Sequence, residues 1–257
     1  MAELTFDYSG KAALVTGAGR GLGFATASAL HKAGAIVAIN DRTAEVCDAA
    51  IVKLGGGQRL VAAPADLATP DGPARAVALA ARGGRLDFLV NNAAVNVEKA
   101  VAATDDAHWD LHLDVILRAS FLAVQAALPF LRRSRGCVVN IASELGLQAI
   151  ANNVAYVSAK HGLVAMTRAM AVELAADGVR VNALCPGTMN TELMRDCADD
   201  SGNPDAYYAA FRRYHPLGRL ASPDEIAAFI LCLLSPAAAF MTGSAVAIDG
   251  GSIAGRL

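Results

Sequence analysis

Ala12-Ala13-Leu14-Val15-Thr16-Gly17-Ala18-Gly19-Arg20-Gly21-Leu22-Gly23 is the stretch that decides the fold. Residues 12–16 read as a short buried strand, and residues 21–33 as the helix that follows it and stops at Gly34. Glycines between a strand and a helix let the backbone turn tightly and approach a pyrophosphate, whose charge the helix N-terminus favours. The spacing is Gly-x-x-x-Gly-x-Gly, at Gly17, Gly21 and Gly23. It is not Gly-x-Gly-x-x-Gly, because with Gly17 and Gly19 as the first two glycines the third position is Leu22. The competing reading is a glycine-rich turn that holds nothing. The strand–loop–helix context favours a dinucleotide.

The same alternation continues along the chain. Strands are expected at 36–40, 60–63, 86–91, 137–142, 179–184 and 245–248. Helices are expected at 43–54, 74–81, 105–131, 154–176 and 224–234. Gly55-Gly56-Gly57 and Asp177-Gly178 end two of the helices, and Ser222-Pro223 opens another. Strands alternating with longer helices predict an α/β fold: a doubly wound parallel sheet of about seven strands, with helices on both faces. No linker, repeat or low-complexity segment interrupts residues 1–257, so one domain is expected. Residues 191–216 break the rhythm with mixed charge and four aromatic residues, and read as a helical flap beginning near residue 188.

Composition removes several function classes. The 257 residues are 54% hydrophobic with a net charge of −2, which suits a large core and gives no basic patch for nucleic acid or an anionic membrane. Residues 1–10 carry Glu3 and Asp7 and lack the apolar core of a signal peptide. The longest unbroken apolar run, residues 226–234, is too short to span a bilayer. Five widely separated cysteines, none in Cys-x-x-Cys, read as reduced thiols, mostly core fillers, and a cytoplasmic location is expected. No metal site is expected. His108 and His112 are four residues apart, but no Glu follows His108, and both read as solvated helix residues.

Two further features carry chemistry. Asp41 ends the second strand, 24 residues after Gly17. A carboxylate there accepts hydrogen bonds from ribose hydroxyls and repels a 2′-phosphate, which favours NAD; Arg20 and Arg42 keep NADP open. Tyr156 and Lys160 are spaced by about one helical turn and share a face, and Ser143 lies thirteen residues before the Tyr. A Lys charge beside a phenol favours the phenolate, lowering a pKa ordinarily near ~10 and suiting Tyr156 to acid–base work.

Taken in order, these residues resemble the short-chain dehydrogenase/reductase family over nearly the whole chain. Thr16 to Gly23, with Gly17, Gly19, Arg20, Gly21, Leu22 and Gly23, is similar to the family's cofactor loop. Asp66-Leu67 resembles its adenine-contacting pair. Asn91-Asn92-Ala93-Ala94 resembles its Asn-Asn-Ala-Gly strand end, with Ala94 in the usual glycine position. Ser143, Tyr156 and Lys160 match the catalytic residues. Pro186-Gly187 with Thr191 looks like the segment that covers the nicotinamide, and Asp249-Gly250-Gly251 matches the C-terminal signature.

The resemblance implies that a nicotinamide cofactor lies across the carboxyl ends of the strands. Tyr156 would then exchange the alcohol proton, Lys160 would bind the nicotinamide ribose and keep the Tyr pKa low, and Ser143 would orient the substrate oxygen. The backbone or side chain of Thr188 would touch the carboxamide. One position departs from the pattern. The family usually has an Asn in the long helix before the catalytic strand, supporting a water that leads from the Lys to solvent, and here that position is Ile116. Helix phase places none of His112, Asp114 or Ser120 obviously in its stead; proton exchange is expected to be impaired if the Asn side chain is needed, and to persist if the main-chain carbonyl at 116 holds the water.

A secondary alcohol or ketone is the expected substrate, with polyols, sugars, steroids and hydroxyacids all open, and specificity is expected from residues 143–153 and the flap. Leu145, Leu147, Gln148, Ile150, Met189, Leu193, Met194 and Tyr207 are candidates for a mainly apolar pocket. Arg195, Arg212 and Arg213 read first as a solvated face. Helices 105–131 and 154–176 are apolar on more than one side, as in helices buried on both faces. In this family they build a four-helix contact, and a homotetramer is implied. A protein that binds the dinucleotide without turnover is the alternative of a different kind.

Overall fold

The structure, a computed structural model, describes residues 5–255, with the side chain of Leu193 also outside the described part. The strands are β1 (Ala12–Val15), β2 (Ile36–Ile39), β3 (Leu60–Ala62), β4 (Phe88–Asn91), β5 (Cys137–Ile141), β6 (Arg180–Pro186) and β7 (Ala245–Ile248). They form one seven-stranded sheet in the order β3-β2-β1-β4-β5-β6-β7, and each neighbouring pair is parallel. The expected α/β doubly wound sheet is therefore present, with strand ends shifted by one or two residues.

Strand side chains alternate between the two faces, and helices cover both, so the strands are apolar throughout. Ala13, Val15, Val37, Ile39 and Val90 pack with α1 (Gly21–Lys32) and α9 (Pro223–Leu234). Leu14, Ala38, Leu89 and Val138 pack on the opposite face against α3 (Gly72–Ala80), α5 (Ala119–Ser134) and α6 (Val154–Leu174). Local signals end these helices where expected. Thr43 caps α2 (Ala44–Lys53). Ser222 and Glu225 form a capping box at α9, with Pro223 in the first turn.

The helix expected over 105–131 is instead composite. It consists of α4 (Asp106–His112), a π turn (Leu113–Arg118) and α5. An apolar pattern reports which face is buried, not which carbonyl each amide finds, so the π turn left no trace in the periodicity. By length and composition, Asp106–Ser134 is the one helix among the described residues that could cross a membrane. Its buried side here packs on the sheet, and a core helix passes the same test. The expectation that this helix and α6 are buried on both faces is not met within the chain. Leu111 and Phe121 are exposed, and Val172 is 82% exposed.

A further expectation changes. His108 and His112 are buried, not solvated, because α4 tucks their rings together at 4.5 Å beneath the loop that follows β4. Of the cysteines, Cys47, Cys137 and Cys185 are core residues, Cys232 is half-buried, and Cys197 is exposed on the flap.

Asp87, buried at the entrance to β4, joins the starts of two central strands. One carboxylate oxygen accepts from the Ala12 amide at 3.0 Å and Arg85 Nε at 2.6 Å. The other accepts from Arg85 Nη2 at 2.6 Å and Lys11 Nζ at 3.3 Å. Burial alone would raise its pKa, but the Arg85 and Ala12 hydrogen bonds and the Lys11 charge outweigh it and hold the carboxyl below its ordinary value. Asp87→Ala is therefore expected to cost about 2–4 kcal/mol in urea unfolding at neutral pH. Because the folded pKa is depressed, this advantage over Ala should persist down to the ordinary carboxyl range and disappear as pH falls through the folded value. An unshifted unfolding midpoint at pH 7 would refute the role.

Candidate active site

The sheet's strand order reverses between β1 and β4, so the connections leaving these strands diverge and open a crevice above their carboxyl ends. A polar clasp holds the two rims together. Thr16 Oγ1 accepts from the amides of Asn92 at 2.8 Å and Ala93 at 3.0 Å. Asn92 Nδ2 donates to Thr16 O at 2.8 Å and to Gly17 O at 3.1 Å. Gly17 has φ +60°, a conformation that strains residues with side chains. At Gly23 a Cβ would sit 2.2 Å from Gly17 O, so only glycine lets α1 start this close to the loop.

The start of α1 is an anion receptor by default. Arg20 occupies the cap position but makes no side-chain cap, and no acidic residue stands in the first turn. The first amides of the helix therefore point outward without a protein partner from the cap, toward the crevice. Asp41 bounds the next part of the crevice. Its Oδ2 accepts from Gly19 N at 3.1 Å and its Oδ1 from Arg42 N at 2.8 Å, which fixes the carboxylate against the loop with lone pairs to spare. Arg42 and Asp66 line one cavity of about 370 Å³ with Thr69, Asp71 and Arg75. Arg20 and Ala94 are exposed, while Leu22 and Leu67 are buried in the cores on opposite faces of the sheet. Thr191 caps α7 (Glu192–Asp200), and a Cβ at Gly21 would lie 3.7 Å from its methyl group. The flap thus begins against the glycine loop. An uncapped helix start, a cradle that Cβ atoms would fill and a fixed ribose-height carboxylate together fit a nicotinamide dinucleotide.

The catalytic candidates converge farther along the same edge. Ser143 follows β5, and its Oγ accepts from Leu145 N at 3.1 Å, leaving its own hydrogen free to donate. Tyr156 and Lys160 project from one face of α6. Lys160 is fully buried, donates to Ile141 O at 2.6 Å and lies 5.5 Å from the centre of the Tyr156 ring. Burial pushes the Tyr156 phenol up to about 12, with the Ser143 hydrogen bond pulling against it and the Glu144 charge adding to it. Burial likewise pushes the Lys160 ammonium down to about 7. The expected lowering of the Tyr156 pKa by Lys160 is not met: burial raises it, and Lys160 is not among the groups acting on it.

Ile116 is a buried apolar residue packed with Ala142, Ala159 and Leu163. It lies in the π turn, and its carbonyl accepts from Ser120 Oγ at 2.7 Å. His112, set aside on helix phase, is nevertheless beside the site: its ring lies edge-on to Tyr156 at 6.5 Å. Its Nδ1 donates to His108 O at 2.8 Å and its Nε2 accepts from Val97 N at 3.2 Å, which defines a neutral tautomer. The Thr188 amide donates to His215 Nε2 at 3.3 Å, which leaves the Thr188 side chain as the group able to meet a carboxamide. His215 Nδ1 in turn donates to Asp249 O at 2.7 Å. His215 therefore pins the C-terminal end of the flap to the strand ends. Its partners are 27 and 34 residues away in sequence, too far for any motif to show.

The flap itself holds α7 and α8 (Pro204–Arg212). Arg195 donates to Asn190 O at 3.2 Å, Arg213 donates to Tyr214 Oη at 2.9 Å, and Arg212 stacks over Tyr208. All three arginines are occupied on the flap's exposed side. Among the pocket candidates, Met194 is buried, Leu147 and Tyr207 are half-buried, and Ile150 is exposed. Leu193's side chain lies outside the described residues. Two buried polar residues that sequence reasoning missed, Glu144 and Asn153, flank the Ser143–Tyr156 pair. Only the spacing of Asn153, three residues before Tyr156, could have pointed to one of them.

Residues 17–252 match the family model described as enoyl-(acyl carrier protein) reductase. The chain is 37% identical to 2-(S)-hydroxypropyl-CoM dehydrogenase 3 of Xanthobacter autotrophicus, over 93% of this chain and 95% of that one. It is also 37% identical to D-threitol dehydrogenase of Mycolicibacterium smegmatis, over 97% and 95%. A solved structure from Sinorhizobium meliloti 1021, described as a short-chain alcohol dehydrogenase, superposes with a TM-score of 0.88 at 36% identity, covering 99% of this chain and 100% of that one. With a family model matching most of its length and relatives 37% identical over nearly the whole of both chains, the chain belongs to the short-chain dehydrogenase/reductase family.

Proposed function

We propose that this oxidoreductase, which moves a hydride between a nicotinamide cofactor and an alcohol or ketone, prefers NAD and acts on a small neutral secondary alcohol. The observation that carries the reading is the convergence of Ser143, Tyr156 and Lys160 at the strand ends beside the glycine crevice. Asp41 supports NAD: its carboxylate is anchored to Gly19 and Arg42 amides at the place where a 2′-phosphate would have to enter. Arg42 and Arg75 line the neighbouring cavity, but Asp66 and Asp71 line it too, so its charges offset.

When bound, the nicotinamide supplies the hydride acceptor or donor. The protein supplies position and proton management. Ser143 donates its free hydrogen to the substrate oxygen. Tyr156 takes the proton from an alcohol, or returns it to a ketone. Lys160, held by the Ile141 carbonyl beneath the Tyr ring, is placed to share its proton as the phenolate charge develops. The flap closes the crevice against Gly21 through Thr191. The exposed apolar side chains of Leu111, Phe121 and Val172 support assembly with further copies, for which a homotetramer is proposed, and the free thiols support a cytoplasmic location.

The reading is tested with a panel of secondary alcohols followed by NADH absorbance. Activity should appear on at least one, and Tyr156→Phe should lower it by about 10²–10⁴-fold. Quenching of Trp109 fluorescence should give tighter binding of NADH than of NADPH, and the reverse order would overturn the role given to Asp41. Lys160 makes a second test. Between pH 7 and its ordinary value of 10.5 the unfolded chain holds a proton on this residue that the folded chain does not, so stability rises with pH. Relative to Lys160→Met, the wild-type protein should gain roughly 1 kcal/mol per pH unit between pH 7 and 8.5 in urea unfolding. Parallel curves would mean that Lys160 keeps its proton on folding.

A further inference from the structure

Asn153 stands one helical turn before Tyr156, and residues 153, 156 and 160 share the inward face of α6. Its side chain is 2% exposed, and neither Oδ1 nor Nδ2 has a hydrogen-bond partner. The position makes this unusual. Asn153 precedes the first residue of α6, where an Asn ordinarily accepts from the helix's first amides, yet it makes no cap. Its carbonyl enters the helix ladder instead. Asn153 O accepts from Val157 N at 2.9 Å, and Asn152, at φ +60°, accepts from Lys99 N at 2.8 Å. These bonds lay the loop after β4 over the side chain and turn it inward. The same loop carries Val97, whose amide binds His112 at the edge of Tyr156.

A second buried polar atom is stranded on the other flank. Glu144 follows Ser143 directly, is 8% exposed, and its Oε2 has no partner. The carboxyl lies near enough for its charge to act on Tyr156. Buried amides and carboxyls are normally paired, so two such groups around one catalytic pair mark a place where a ligand completes the bonding.

The chemistry of the amide selects that ligand. Oδ1 needs a donor and Nδ2 needs an acceptor. A hydroxyl is both. A carboxylate or phosphate only accepts, so it would leave Oδ1 stranded and bring negative charge toward Glu144. An ammonium only donates and would leave Nδ2 stranded. One helical turn is about 5.4 Å, so a hydroxyl on Asn153 belongs to a carbon adjacent or nearly adjacent to the one whose oxygen meets Tyr156. Resting on the alcohol dehydrogenase reading above, we infer that Asn153 is a specificity-determining residue that binds a second, neutral hydroxyl of the substrate. The preferred substrate is then a vicinal diol, or the corresponding α-hydroxyketone, over the matching mono-alcohol or plain ketone.

The test compares 2,3-butanediol with 2-butanol in the presence of NAD, and acetoin with 2-butanone in the presence of NADH. The wild-type enzyme should favour the hydroxylated partner at least tenfold in kcat/KM. Asn153→Leu, which keeps the size and removes both polar atoms, should collapse that ratio toward one, chiefly through KM. Asn153→Ala should do the same, and because the readout is a ratio it does not depend on how much of either variant folds. No preference in the wild-type enzyme overturns the inference and shows that water satisfies the amide. A preference that survives both substitutions overturns it as well. Failure to turn over any of the four compounds would instead sink the alcohol dehydrogenase reading, and the inference with it.

Discussion

The clasp between Thr16 and Asn92 is the interaction on which the site depends. Two strands that neighbour each other in the sheet send their chains in opposite directions, and the space between the chains is the only place where a long ligand can lie across the strand ends. Left to themselves, such loops would be mobile. The Thr16 hydroxyl and the Asn92 amide tie β1 to the segment after β4 with four hydrogen bonds, and Gly23 brings the helix start against the same knot. Everything downstream is positioned from there. Asp41 reaches the loop through Gly19, and Thr191 brings the flap to Gly21.

The catalytic edge stores tension. A lysine with its ammonium withdrawn from water costs stability at neutral pH, whereas burial holds the tyrosine in the neutral form it also has in the unfolded chain, at no such cost. A core of apolar residues in their place would be more stable and inert. What holds them is the surrounding frame: Ile141 O receives the lysine, His112 stands against the tyrosine ring, and the buried chain Asn91–Asn140–Thr167 links β4, β5 and α6 behind them. Asn153 and Glu144 add two further unpaired groups at the same spot. Such costs concentrated around one pair of residues are the physical signature of a site built for a ligand rather than for the fold.

Much of this was legible along the chain. The glycine spacing, Asp41, and the Ser143, Tyr156 and Lys160 pattern all sit in short windows where residue type and local geometry are tied together. The strand positions followed from apolar runs between glycine and proline breaks. What was not legible depended on residues far apart. His215 works through Thr188 and Asp249. The burial of His108 and His112 needs the loop after β4 above them. The π turn around Ile116 is a change of hydrogen-bond register that leaves side-chain periodicity almost untouched. The pKa of Tyr156 was read as lowered by the Lys160 charge, whereas burial, which no local spacing reveals, raises it.

By itself, the sequence determined the sheet and its helices and singled out the glycine loop and the Ser143, Tyr156 and Lys160 set, because each is encoded within a few neighbouring positions by backbone freedom, periodicity or one helical turn. Tertiary structure alone decided how deeply Lys160 and Tyr156 are withdrawn from water, which histidines stand beside them, and that Asn153 is enclosed with nothing to bond. Those properties arise from segments that meet only when the sheet closes over them, and burial belongs to the packed whole rather than to any stretch of chain.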